Sequence, residues 1–88
     1  MTTGKKVLLV EDDDGLREAL AEQLELHEEF TIEQAANGAD ALEMAKSIHY
    51  DMLLLDVGLP DMDGRDVCRL MRRNAVKAPI IMLTGRTE

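Results

Sequence analysis

Residues 53–64 read LLLDVGLPDMDG, from Leu53 to Gly64. The leucines call for burial, yet the run stops on a bare carboxylate, Asp56, and breaks into a loop carrying two more acids and two glycines. Met52 to Leu55 is wholly apolar, the pattern of a strand covered on both faces, and such strands belong to parallel sheets flanked by helices. The sequence around this strand repeats the arrangement. Val7 to Val10 is a second continuous apolar run and also ends in acids, Glu11 to Asp14. Ala78-Pro79 leads into a third run, Ile80 to Leu83, and Phe30 and Ile32 alternate with Thr31 and Glu33 as a half-exposed edge strand does.

Between these strands the apolar spacing changes to that of helices. Leu16, Ala19, Leu20 and Leu24 fall on one face, with Asp14 placed as the cap and Glu18, Glu22 and Glu25 facing water, which predicts a first helix to about His27. Ala36-Asn37-Gly38 supplies a turn, and Ala41, Leu42, Ala45 and Ile48 define a second helix. Val67, Leu70 and Met71 define a third, from Arg65 to about Arg73. The order β-α-β-α-β-α-β in residues 1–88 predicts one doubly wound parallel α/β unit with right-handed crossovers and helices on both faces.

Composition narrows what such a unit does. The 88 residues are 45% hydrophobic and 32% charged but only 2% aromatic, so the core is built from aliphatic side chains. A net charge of −8 argues against nucleic acid and anionic membranes as direct partners. Cys68 is the only cysteine, which excludes an internal disulfide and fits a reducing compartment. No apolar run approaches the roughly 18 residues of a membrane span, and MTTGKK is too short for a signal peptide, so a cytosolic location is expected.

In an open parallel sheet, ligands bind at the carboxyl ends of the strands, where strand order reverses. Glu11 and Asp12 follow the first strand, Asp56 ends the third, and Thr84 follows the fourth. If strands one, three and four are adjacent, these side chains share one rim. Carboxylates so gathered repel one another by about 4 kcal/mol per pair at 4 Å with an effective dielectric near 20. A hard divalent cation offsets that repulsion, and Mg²⁺ suits a site of one or two carboxylates, waters and phosphate oxygens. A carboxylate beside such an ion can act as a nucleophile on phosphorus, and Asp56 is the best placed.

Other groups have simpler explanations. Asp13 and Asp14 suit the start of a helix. Asp61 and Asp63 do not make a calcium loop, which would need an acid at Leu59 and a glutamate at Leu70, and they are read as loop structure. His27 and His49 lack metal-ligand spacing, the six methionines lie in apolar runs or at loop edges, and Arg69, Arg72 and Arg73 make a solvated helix face.

Four stretches in order, VLLVEDDDGLR, AANGADAL, DMLLLDVGLPDMDG and APIIMLTG, resemble the receiver domains of two-component response regulators over the whole chain. The resemblance implies a flavodoxin-like fold and a phosphoacceptor signalling domain rather than an enzyme. It implies that Asp56 takes a phosphoryl group from a phosphohistidine on a sensor histidine kinase or histidine phosphotransfer protein. Asp12, Asp56 and the Gly58 carbonyl would bind Mg²⁺, with Glu11 helping directly or through water, and Thr84 would hydrogen-bond the phosphoryl group. The family pattern continues with a helix, a fifth strand and a final helix, including a phosphate-contacting lysine and a switch aromatic that nothing here matches. The expectation is a receiver cut after its fourth strand, with four strands and three helices. An alternative is a phosphorylation-deficient interaction module. The uncharged, apolar fourth strand then becomes an edge, which predicts a homodimer through that strand or by exchange of elements.

Overall fold

The computed structural model describes residues 4–83. The elements are β1 (Lys5–Val10), α1 (Asp14–Glu25), β2 (Phe30–Ala35), α2 (Gly38–Ser47), β3 (Met52–Asp56), α3 (Gly64–Arg73) and β4 (Ile80–Leu83). All four strands are parallel, in the order β2-β1-β3-β4. The order reverses between β1 and β3, the switch point of a flavodoxin-like doubly wound sheet.

The apolar runs make the centre. Val7, Leu8, Leu9 and Val10 are essentially inaccessible, as are Leu53 and Leu55. Alternate residues of β1 serve opposite faces, as the two-residue period of a strand requires. Leu8 and Val10 join Leu53, Leu55, Ala41, Ala45, Val67 and Met71 under α2 and α3. Val7 and Leu9 join Ile32 and Ala21 under α1. Tyr50 is buried in the larger cluster, and its hydroxyl is satisfied by donating to Glu33 Oε1 of β2 at 2.6 Å.

Two details differ from the sequence reading. The cap of α1 is Asp13, whose Oδ1 accepts from the Leu16 N–H at 2.9 Å, and Asp14 is the first helical residue. The face of α1 turned to the sheet is Leu20, Ala21 and Leu24, whereas Leu16 is 44% exposed and Ala19 is also exposed. Arg17 takes a place on the inward side, because three separate acceptors hold its guanidinium there.

Candidate functional site at the carboxyl rim

Glu11 and Asp12 leave β1 and Asp56 ends β3, and the register Val10↔Leu55 sets the two exits side by side. One carboxylate oxygen from each of the three acids lies within 4.8 Å of the others. Glu11 and Asp56 are only 4% and 5% exposed. Burial pushes the Glu11 carboxyl above its ordinary range, the Asp13 N–H pulls it back, and the charges of Asp56 and Asp12 add to the rise. That N–H donates to Glu11 Oε2 at 3.1 Å.

Asp12 Oδ1 is buried and has no hydrogen-bond partner among the described residues. A buried oxygen left so is costly, and buried polar atoms almost always find a partner. None of the ion pairs among the described residues reaches Glu11, Asp12 or Asp56. Arg17, in the first turn after the β1 exit, is engaged elsewhere: Nη1 donates to the Glu11 carbonyl at 3.0 Å, Nε to Gln34 Oε1 at 3.0 Å, and Nη2 pairs with Asp14 at 2.8 Å. It fixes the backbone of the β1 exit, and no cation among the described residues compensates the carboxylates. Three oxygens, all hard donors, with one facing no partner, fit a divalent cation such as Mg²⁺.

The β3–α3 loop is tightly closed. The Gly64 N–H donates to the Val57 carbonyl at 2.8 Å, the Leu59 N–H to the same carbonyl at 3.2 Å, and Gly58 and Asp63 form an isolated antiparallel bridge. A Cβ on Gly64 would collide with the Asp56 carbonyl, so this position requires glycine for the close approach. Gly58 is exposed, and a Cβ there would meet nothing within 4 Å. Asp63 caps α3 by accepting from the Arg65 N–H at 2.8 Å. Asp61 does more than shape its own loop: Oδ1 and Oδ2 accept from the Gly38 and Ala39 N–H groups of α2 at 2.8 and 2.9 Å. Those two bonds hold its carboxyl below the usual range.

The structure thus brings Glu11, Asp12 and Asp56 together, with Gly58 on the adjoining loop. Thr84 lies outside the described residues; Leu83, before it, stands opposite Asp56 in the β3–β4 register. The roles of Arg17 and Asp61 escaped the sequence reading. Asp61 reaches α2 across more than twenty residues, and no local pattern encodes that contact.

Residues 7–88 match the family model for the response regulator receiver domain. This chain belongs to that family. Receiver domains are signalling domains of two-component systems, and the four-stranded sheet with three helices matches part of their fold. Among relatives, the response regulator MprA of Mycobacterium ulcerans is 42% identical over 81 residues, covering 92% of this chain and 34% of that protein. The cell cycle response regulator CtrA of Brucella ovis is 38% identical over 80 residues, covering 91% and 34%. The chain therefore spans about a third of the length of these relatives. Among solved structures, the response regulator TrrA of Thermotoga maritima in complex with Mg²⁺-BeF is 36% identical with a TM-score of 0.86, over 94% of this chain and 71% of that one. The complex of the histidine kinase ThkA with TrrA matches at 36% identity and a TM-score of 0.85, over 96% and 72%. No helix among the described residues is long and apolar enough to cross a membrane.

Proposed function

We infer that this receiver domain, residues 1–88 read as one unit, accepts a phosphoryl group on Asp56 in an Mg²⁺-dependent reaction. The donor is a phosphohistidine of a sensor histidine kinase or histidine phosphotransfer protein. The observation that carries this reading is the convergence of Glu11, Asp12 and Asp56, with Asp12 Oδ1 buried and unpartnered among the described residues. Asp12, Asp56 and the Gly58 carbonyl would hold the ion, with Glu11 contributing directly or through water. When bound, Mg²⁺ supplies positive charge that lets an anionic phosphoryl group approach a carboxylate. Asp56, held at the end of β3 by strand pairing, forms the P–O bond as the P–N bond to imidazole breaks, and the electron pair leaves with the imidazole. Gly58, without a side chain, adds no bulk to the loop that follows Asp56. Thr84 is proposed to hydrogen-bond the phosphoryl group. The solved TrrA structures, one with Mg²⁺-BeF and one with the kinase ThkA, support both the ion and the partner class. The fold and the cysteine content support a cytosolic location.

Incubation with Mg²⁺ and a small phosphoryl donor is expected to add one phosphoryl mass to the intact protein. The adduct should be absent without Mg²⁺ and absent in Asp56→Asn. No adduct under conditions that label a longer receiver would favour a second reading, an interaction module that keeps the metal site without efficient phosphoryl uptake. One observation speaks for that second reading. All four lysines, Lys5, Lys6, Lys46 and Lys77, sit near the opposite ends of the strands, away from the acids.

A further inference from the structure

The N-terminus of α2 is capped from two directions. Asn37 Oδ1 accepts from the Asp40 N–H at 2.8 Å, a local cap within the helix's own sequence. The Gly38 and Ala39 N–H groups point elsewhere, and both are taken by Asp61 of the β3–α3 loop. A helix N-terminus leaves such groups unsatisfied, and a carboxylate there gains from their combined dipoles. The same seam is packed as well as hydrogen-bonded. A Cβ on Gly38 would lie 2.7 Å from Met62 Cγ and 2.8 Å from Val67 Cγ2, so the absence of a side chain lets Met62 seat against α2.

The clamped loop is the one that follows Asp56 and carries Gly58. At its base it is closed by Gly64 N–H to Val57 O and by the Gly58–Asp63 bridge; Leu59 is buried in the core; at its tip Met62 packs against Gly38, and Asp61 supplies the hydrogen bonds to α2. We propose that Asp61 is a positioning residue for the acidic rim: by bridging the loop tip to the first two N–H groups of α2, it holds the Gly58 backbone where it completes the divalent-cation site. This rests on the reading of Glu11, Asp12, Asp56 and Gly58 as the Mg²⁺ site. It adds a residue that touches no ion, and it couples α2 to occupancy of the rim. Coupling of this kind is reciprocal, so Mg²⁺ must tighten the clamp by the factor by which the clamp tightens Mg²⁺.

The test compares two caps of one helix. In Mg²⁺ titrations of the 88-residue chain followed by calorimetry or amide chemical shifts, Asp61→Ala is expected to weaken Mg²⁺ about fivefold, the lower end of typical coupling strengths. Asp61→Asn, which keeps one acceptor oxygen, should fall between Asp61→Ala and the wild type. Asn37→Ala also uncaps α2 but touches only Asp40, and its Mg²⁺ affinity should stay within about twofold of wild type. The independent readout is hydrogen exchange in the unmutated protein, in which saturating Mg²⁺ should slow the Gly38 and Ala39 amides about fivefold by the same reciprocity. This measurement decides the matter if the Asp61 variants do not fold. Equal Mg²⁺ affinity in wild type and Asp61→Ala, equal weakening by Asp61→Ala and Asn37→Ala, or unchanged exchange at Gly38 and Ala39 would each overturn the clamp while leaving the metal site standing. A wild-type protein that binds no Mg²⁺, or binds it undiminished after Asp12→Ala, would overturn the metal reading itself and the clamp with it.

Discussion

At the rim, Glu11 and Asp12 carry opposite burdens. Glu11 is buried and its charge is disfavoured by that burial and by its acidic neighbours, so the folded chain holds it at a cost when no cation is bound. Replacing it by Gln is expected to raise the stability of the metal-free protein, read as a higher midpoint of denaturant unfolding in a chelator. Asp12 instead offers an oxygen with no partner among the described residues. Mg²⁺ at about 100 times its dissociation constant should stabilise the wild type by roughly 2.7 kcal/mol. Asp12→Ala should lose that gain, and a full gain in the variant would place the ion elsewhere. These acids were legible in the sequence because each one directly follows an apolar strand, and the end of a parallel strand is a fixed place. Arg17 was not legible. Helix spacing allows its i,i+3 pair with Asp14, but its other acceptors, the Glu11 carbonyl and Gln34 on β2, are announced by nothing in that spacing.

Each helix is held at its start by an acid or amide from a neighbouring turn: Asp13 for α1, Asn37 and Asp61 for α2, Asp63 for α3. The end of α3 is less well served. Its last carbonyls are closed by Ala75 N–H to Arg72 O at 3.1 Å and Val76 N–H to Met71 O at 3.0 Å, the paired bonds of a Schellman motif. That motif needs a left-handed residue, and here it is Ala75, with φ of 67°. An alanine there pays about 1–2 kcal/mol that glycine does not. Ala75→Gly is therefore expected to stabilise the protein by about 1 kcal/mol in denaturant unfolding, and a loss of stability would show that chain entropy outweighs the strain. The strands and the existence of all three helices followed from period and turn chemistry. The boundaries did not: α2 begins at Gly38, three residues ahead of its first apolar position, because a cap and a distant carboxylate, rather than hydrophobic spacing, start it.

Across the whole molecule the two faces of the sheet are covered unequally. The α2/α3 side holds the larger buried cluster, while α1 lies over β1 and β2 and leaves Met52, Leu54, Ile81 and Leu83 of β3 and β4 only partly covered among the described residues. Ile81 is 47% exposed. On its other edge, β4 pairs with β3 and with no other described strand. An apolar edge beside an apolar face is a surface that soluble sheets normally protect. For the 88-residue polypeptide, a second copy related by a two-fold axis normal to the sheet fits the edge, since that axis sets β4 antiparallel to its mate and joins the two sheets into one. Exchange of elements between copies would bury the same surface. Opposing this, association doubles a net charge of −8, and that repulsion is screened by salt. The expected outcome is a dimer by light scattering, more populated at high than at low ionic strength. Ile81→Lys, which puts a charge on the exposed edge, should weaken association at least about tenfold, the effect of roughly 1.4 kcal/mol. A monomer across a wide concentration range, or an association indifferent to Ile81→Lys, would remove β4 from the interface. A dimer strengthened by Mg²⁺ would tie the edge to the rim, because β4 ends beside Asp56 and the Val57 N–H is bonded to the Leu83 carbonyl.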